Sequence, residues 1–304
     1  IDISTASCIL LDNIALGGDI NILSPNNCDG RFLSYMINNN KRKDIAKVAQ
    51  GHSVVHLYND NLKNINVNIP TINEQTKIAN TLELLDKKIE LQTKKIEALK
   101  LFKSSQICTI LNKVECKSVF LSDLGYFTSG NSIGKGKVTD NGAPVVLYGD
   151  LYTKYEEEIN DVDQYIKENR KYVKSEEGDL IFPTSTTVDA ISLISPSVIN
   201  ISDVVYGGDL IIFKANKRIV NPKFLSYQIN HLKKKEFSRK AQGSTIIHIH
   251  AHDLLNSTVG IPNMSYQNTI SNFGSAINKK IELEKHKLDK LTLLKKGLMQ
   301  SMFV

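Results

Sequence analysis

The chain has 304 residues, 41% of them hydrophobic and 23% charged, with a formal net charge of +6. That length suits two domains with packed cores, and the excess of lysine and arginine suits an acidic partner such as DNA. No apolar run is long enough to cross a membrane, and Cys8, Cys28, Cys108 and Cys116 show no C-x-x-C spacing, which points to reduced thiols of a cytoplasmic protein and away from a membrane or disulfide-bonded secreted class.

Self-similarity sets the frame for reading the elements. Phe32-Leu33-Ser34-Tyr35 recurs as Phe224-Leu225-Ser226-Tyr227, and Ala49-Gln50-Gly51 as Ala241-Gln242-Gly243. His56 matches His248, Ile69-Pro70 matches Ile261-Pro262, and Gln75 matches Gln267. Lys87-Lys88-Ile89-Glu90-Leu91 recurs as Lys279-Lys280-Ile281-Glu282-Leu283. All are 192 positions apart, and 31–112 aligns with 223–304 without a gap. Upstream, Gly17-Gly18-Asp19 matches Gly207-Gly208-Asp209 at a shift of 190. The second copy opens near Val119-Phe120-Leu121, and 118–193 has no partner in the first. By this comparison a complete first copy needs about 75 further residues before Ile1.

The predicted order is therefore the rear part of a mixed domain over 1–70, a long helix in 71–117, a second mixed domain over 118–262, and a second long helix in 263–304. The first helix is expected over 75–111, after Pro70 and Asn73 and free of Pro and Gly. Its apolar stripe is Ile78, Leu82, Leu85, Ile89, Ile96, Leu99 and Ile110, spaced three and four apart. The second, about 265–302, carries Ile270, Ile277, Ile281, Leu288, Leu291, Leu298 and Met302 in the same register. Polar residues interrupt both seams at matching points, Gln92 with Glu284 and Lys103 with Lys295. Matching stripes predict an antiparallel pair with approximate two-fold symmetry. Helices of about 37 residues would span roughly 55 Å and space the two domains.

In the second mixed domain the predicted strands are 119–124, 144–148, 179–182, 191–194 and 209–213, with further strands at 246–248 and 258–261. Residues 224–241 read as a helix with a basic outer face (Lys233, Lys234, Lys235, Arg239, Lys240). The class is thus α+β.

The loop from Ser129 to Lys137 holds Gly130, Gly134 and Gly136 but lacks the spacing and hydroxyl of a phosphate loop. Its Lys135 and Lys137 suit contact with a nucleic-acid backbone. Tyr148, Tyr152 and Lys154 combine aromatic rings with a cation, and Thr184-Ser185-Thr186-Thr187 is a run of short hydroxyls able to read base edges or anchor phosphates. Arg170 and Lys171 belong to a basic cluster, and Ser244-Thr245 is a further polar turn. A solvated loop is the plain alternative for each, and their crowding in one domain favours DNA contact. His248, His250 and His252 alternate as strand ligands would, but the first copy keeps only His56, so a structural role for His248 is expected and no metal. No hydrolase, Walker, dinucleotide, methyltransferase or nuclease motif is present.

Ile69-Pro70, Glu74-Gln75 and Ile78-Ala79, leading into Leu85-Asp86-Lys87-Lys88-Ile89-Glu90, resemble the conserved-region helix of the specificity (S) subunits of type I restriction-modification enzymes. Pro262, Tyr266-Gln267, Ile270 and Ile277-Asn278-Lys279-Lys280-Ile281 keep that frame in the second copy. Ala49-Gln50-Gly51 and Ala241-Gln242-Gly243 resemble the end of that family's target recognition domains, and Leu121-Ser122-Asp123-Leu124-Gly125 with Gly178-Asp179-Leu180-Ile181 resembles their opening. The resemblance implies two target recognition domains joined by two long antiparallel coiled-coil helices in a pseudo-two-fold internal repeat, with 1–70 the C-terminal part of the first domain. It implies a non-catalytic subunit that reads a bipartite double-stranded DNA target. It also implies docking of two modification (methyltransferase) subunits, with S-adenosylmethionine, and of restriction subunits, with ATP and Mg. The alternative is a truncated or inhibitory S-like module that binds methyltransferase subunits without reading a full DNA site.

Overall fold

The computed structural model describes residues 5–51, 55–167 and 171–303. Two compact units divide the chain: unit 1 is Ile1–Glu97 with Glu282–Val304, and unit 2 is Ala98–Ile281.

In unit 1, α1 (Gly30–Met36) starts where the Asp29 carboxylate accepts from the amides of Arg31 and Phe32. It passes through a π-helical turn, Ile37–Lys41, into α2 (Arg42–Val48), and α3 (Asn59–Leu62) follows. The long helix α4 (Ile72–Lys113) has 42 residues and contributes its part up to Glu97. Its apolar stripe buries against α1 and the chain's last turn in a core of Phe32, Met36, Ala79, Leu82 and Phe303. The Gln75 side chain, 1% exposed, fastens the helix start: it accepts from Asp29 N at 2.9 Å and donates to Pro70 O at 2.8 Å.

Unit 2 continues with β1 (Lys117–Phe120), α5 (Leu121–Leu124), β2 (Gly125–Ser129), β3 (Val138–Thr139), β4 (Ala143–Val146) and α6 (Asp150–Thr153). Next come β5 (Glu158–Ile159), β6 (Tyr165–Ile166), β7 (Asp179–Pro183), β8 (Ser185–Thr186), α7 (Ala190–Leu193), β9 (Ser197–Ile199), β10 (Val205–Tyr206) and β11 (Leu210–Ala215). α8 (Pro222–Gln228) runs through a π-helical turn, Ile229–Lys233, into α9 (Lys234–Ser238). β12 (Ile247–His248), α10 (Ala251–Leu255), β13 (Thr258–Ile261) and the 39-residue α11 (Met264–Met302) complete the chain, with α11 passing into unit 1 at Glu282. The principal sheet has the order β2-β11-β7-β9-β5, and a second has β10-β4-β6-β3. β7 is buried along its whole length, as its uninterrupted apolar run requires of a central strand. The core joins Leu180, Phe182 and Phe213 of the sheet to Phe224 and Tyr227 of α8, Ile107 of α4 and Ile270 of α11.

The helices α4 and α11 run antiparallel within each unit. In unit 1, Lys295 Nζ meets Asp86 and Gln92 meets Glu284. In unit 2, Lys103 Nζ lies 2.7 Å from Asn278 Oδ1. Of the stripe positions, Leu82, Leu85, Ile96, Ile270 and Ile281 are buried, and Ile78, Ile89, Leu99, Ile277, Leu288 and Leu291 are half-buried. Residue 92 and its counterpart 284 contact each other directly: Gln92 Nε2 donates to the Glu284 carbonyl at 2.9 Å and to its carboxylate at 2.7 Å. With Lys95 and Lys287 also at hand, the Glu284 carboxyl is held down at about 2.

Local structure is also built twice. Gln267 accepts from Asn221 N at 2.8 Å and donates to Pro262 O at 2.9 Å, reproducing the bonds of Gln75. Tyr35 OH bonds Asp86 at 2.7 Å, and Tyr227 OH accepts from Asn278 at 2.9 Å. Asn13 and Asp203 both take left-handed backbone (φ 59° and 65°), as do Asp19 and Asp209 (58° and 56°). One substitution is compensated: Gly274 stands where unit 1 has Leu82, because a Cβ there would meet the Tyr227 ring at 2.3 Å.

Two expected strands are corrected. Residues 191–194 lie mostly in the helical turn α7, because Asp189 accepts from Ser192 N at 2.8 Å and caps it. Residues 121–124 form the turn α5, so only the start of the expected 119–124 strand is extended. The expected helix 224–241 is interrupted by its π-helical turn, and Lys234, expected on an outer basic face, is half-buried with its ammonium 3.3 Å from Ser195 Oγ.

Candidate functional site

An open cleft of about 1000 Å³ in unit 2 collects Tyr148, Tyr152, Ser185, Thr186 and Thr187. One wall forms where β7 ends at Pro183 and the chain turns into β8. β8 pairs antiparallel with β12, placing Thr186 opposite Ile247 and Ser185 opposite His248. Thr184 fixes this turn through its backbone, donating to Asp209 O and accepting from Ile249 N, both at 2.9 Å. The facing wall is the turn after β4. There buried Asp150 accepts from Leu147 N and from Gln164 Nε2, each at 2.9 Å, which holds the intervening Tyr148 at the cleft. Tyr152 OH donates to Ser185 O at 2.8 Å and ties the two walls together. Burial pushes the Tyr152 phenol above its ordinary range, so it remains a donor across the physiological range.

The floor is a network of charges from α4 and the chain around β5. Lys103, 2% exposed, reaches Glu157 at 2.7 Å and Glu156 at 3.2 Å. Lys100 pairs with Glu156 at 2.7 Å, and His231 Nε2 lies 2.7 Å from Glu157. Burial acts to raise the Glu157 carboxyl, but the His231 hydrogen bond and the Lys103 charge outweigh it and hold the group well below its ordinary range. Burial also lowers the Lys234 ammonium at the rim. These floor charges compensate one another, so an entering ligand meets hydroxyls, aromatic rings and the His248 ring at the walls. That inventory offers donors, acceptors and stacking surfaces.

Sequence reasoning named the wall residues from their crowding but not Lys100, Glu156, Glu157 or His231. Lys103 appeared only as a polar break in a helical stripe, and Lys234 only as part of a basic helix face. Other sequence candidates lie elsewhere. Lys135 and Lys137 are exposed on a 3-10 turn, in a loop anchored by Asn131, which bonds the backbone of Val173 and Tyr206. Lys154 pairs with Asp163 and lies over the Tyr155 ring. Thr184, Lys171, Ser244 and Thr245 do not line the cleft. Arg170 lies outside the described residues. His248 pairs with β8, His250 caps α10, and His252 lies 3.1 Å from Asp253. Among the described residues, no group of three or more His, Cys, Asp or Glu side chains has metal-holding geometry. No helix there is long and apolar enough to cross a membrane.

A family model described as "Type I restriction modification DNA specificity domain" matches residues 2–101 and 113–293. Among solved structures the chain is similar to a type I restriction-modification system S subunit from M. genitalium, at 17% identity and a TM-score of 0.62, covering 93% of this chain and 75% of that one. It is also similar to a chain from a structure described by the complex assembly and conformational transition of the type I R-M system, at 14% identity, 91% and 71% coverage, and a TM-score of 0.57. Identities this low carry the fold alone. No curated protein matches the chain.

Proposed function

We propose, from the premise that this chain belongs to the type I restriction-modification DNA specificity family, that it is the non-catalytic subunit through which such a complex reads a bipartite double-stranded DNA target. The observation that carries the reading is the cleft of unit 2. Its Tyr148, Ser185, Thr186 and Thr187 line two walls that are fixed by backbone bonds of Thr184, by the Asp150 carboxylate and by the Tyr152 hydroxyl. Short hydroxyls and aromatic rings on a rigid frame suit base edges, while Lys135 and Lys137 on their separate exposed turn suit phosphates.

Docking of two modification subunits rests on the helices. Exposed apolar residues recur at equivalent positions: Leu91 with Leu283, Leu101 with Leu293, and Phe102 with Leu294. Exposed apolar positions that occur twice suit two copies of one partner. Restriction subunits join that core, S-adenosylmethionine, ATP and Mg belong to the partner subunits, and the complex works in the cytoplasm.

The test is selection of duplexes from a randomised pool by the chain in complex with modification subunits. Salt-sensitive binding with a two-part consensus is expected. Binding with no sequence preference in that complex sinks the reading, as does Mg-dependent cleavage by the chain alone. The second reading is a module that occupies methyltransferase subunits without reading a full site. A consensus covering one half-site only would select it.

A further inference from the structure

Three lysines line the cleft of unit 2: Lys100, Lys103 and Lys234. Lys100 pairs with Glu156 and Lys103 with Glu157, each at 2.7 Å. Lys234 has no carboxylate within 4.0 Å among the described residues, and its hydrogen bond runs to Ser195 Oγ at 3.3 Å. That bond uses one of the three ammonium donors, and the other two have no partner among the described residues. Lys234 is nevertheless half-buried, because it opens α9 directly after the π-helical turn and α7 packs against that helix.

Drawing an ammonium out of water with no acid beside it is unfavourable, and the fold gains nothing from it. The titration of the group agrees: burial lowers it, and the charges of Asp189 and Glu157 offset only part of that effect. A cation left unpaired inside a cleft whose other lysines are paired is the mark of a residue retained for a ligand.

Placement within the cleft selects the ligand. Thr187 and Val188 stand exposed on the loop after β8. That loop is firmly held: Val188 N donates to Thr186 Oγ1 at 3.2 Å, and Asp189 accepts from Ser192 N and Oγ at 2.8 and 2.7 Å. Base edges lie inside a groove and are met by side chains that project, as Thr187 does. Phosphates are the outermost groups of a strand, so a cation set back behind a projecting loop meets them first. A compact ammonium with unused donors matches a phosphate oxygen. The nearby hydroxyls cannot replace it, since Ser195 Oγ already donates to Ser192 O and Ser192 Oγ to Asp189.

We propose that Lys234 holds one backbone phosphate of the half-site read by unit 2, and so positions the duplex against Thr187. The inference rests on the reading of unit 2 as a DNA-recognition domain.

The test uses the full chain in complex with modification subunits and a duplex carrying the consensus selected from a randomised pool. Single uncharged methylphosphonates are placed in turn at each phosphate of the half-site. In the parent, one position should weaken binding by about 10- to 100-fold, the range for a charge-assisted hydrogen bond. Lys234→Met should weaken binding to the unmodified duplex by a similar factor, and the methylphosphonate at that position should then have no further effect while the others keep theirs. The variant should weaken consensus and single-base variants alike and flatten the salt dependence by about one unit of slope. Lys235→Met, at the exposed neighbour, should leave the methylphosphonate pattern unchanged. In urea, unit 2 of Lys234→Met should be as stable as the parent or more so, because no ion pair is lost. The proposal is overturned if no methylphosphonate loses its effect in Lys234→Met. It is also overturned if that variant changes preference at one base with the phosphate pattern intact, which makes Lys234 a base reader, or if it destabilises unit 2, which makes the lysine structural. A parent complex with no sequence preference refutes the reading of unit 2 itself and this inference with it, whereas specific binding without the coupling refutes the role of Lys234 alone.

Discussion

Replacing Lys103 by methionine keeps most of the side-chain volume and removes the charge. Its side chain is 3% exposed and that of Glu157 7%, so the substitution leaves a carboxylate in the interior without its nearest cation. Breaking a buried pair in this way costs about 3–5 kcal/mol. The lower end is expected, because His231 remains 2.7 Å from Glu157. The repeat provides its own control. Lys295 is the counterpart of Lys103, but it is 24% exposed and its partner Asp86 is 40% exposed. Lys295→Met should therefore cost less than about 1 kcal/mol, since solvent screens that pair. Urea unfolding followed by hydrogen exchange, with peptides of the two units read separately, measures both. Equal costs for the two variants would refute the assignment of the difference to burial. The sign of the pH dependence follows from Glu157. Its folded carboxyl sits below the ordinary 4.5, so its stabilisation is fully present above that pH and is lost as pH falls toward the folded value. Lys103→Met raises the folded value, so acid destabilisation of unit 2 should begin at higher pH.

Three further outcomes are expected. Lys135→Gln with Lys137→Gln should weaken DNA binding by the assembled complex for all sequences and flatten its salt dependence by about one unit of slope per lost phosphate contact, whereas Thr187→Ala should change base preference in one half-site; filter binding over a salt series separates them. Gln75→Ala and Gln267→Ala each strand buried backbone groups, so each should destabilise its own unit by about 1–3 kcal/mol or somewhat more in urea melts, and a neutral result at both would contradict their role as fasteners. Tyr152→Phe removes the bond between the cleft walls at a cost of about 0.5–1.5 kcal/mol, with faster amide exchange at 184–188 as the local readout.

The long helices were legible because their apolar residues recur at three and four over some ten turns, a pattern that no strand can satisfy. The repeat was legible as well, and its fixed shift anticipated that Gln92 and Glu284 interrupt their seams at matching points. Short runs were harder. Ile191 to Ile194 is apolar enough for a strand, and only the Asp189 cap makes it a helical turn. The cleft floor stayed hidden for another reason. Lys103 finds Glu157 54 positions away, a pairing set by where β5 settles against α4 and not by any local pattern.

The contact of Gln92 with Glu284 has a consequence for how such a molecule can be made. Where a position touches its own counterpart, two identical half-chains must place the same side chain on both sides. Two glutamates would set carboxylates face to face, and two glutamines would leave Lys95 and Lys287, themselves counterparts, with no acid between them. Here one carboxylate draws both ammoniums, at 3.0 and 3.2 Å, together with an amide. Carrying both halves on one polypeptide permits that mismatch, and the mismatch in turn gives the seam a direction, so that a first half and a second half are no longer interchangeable.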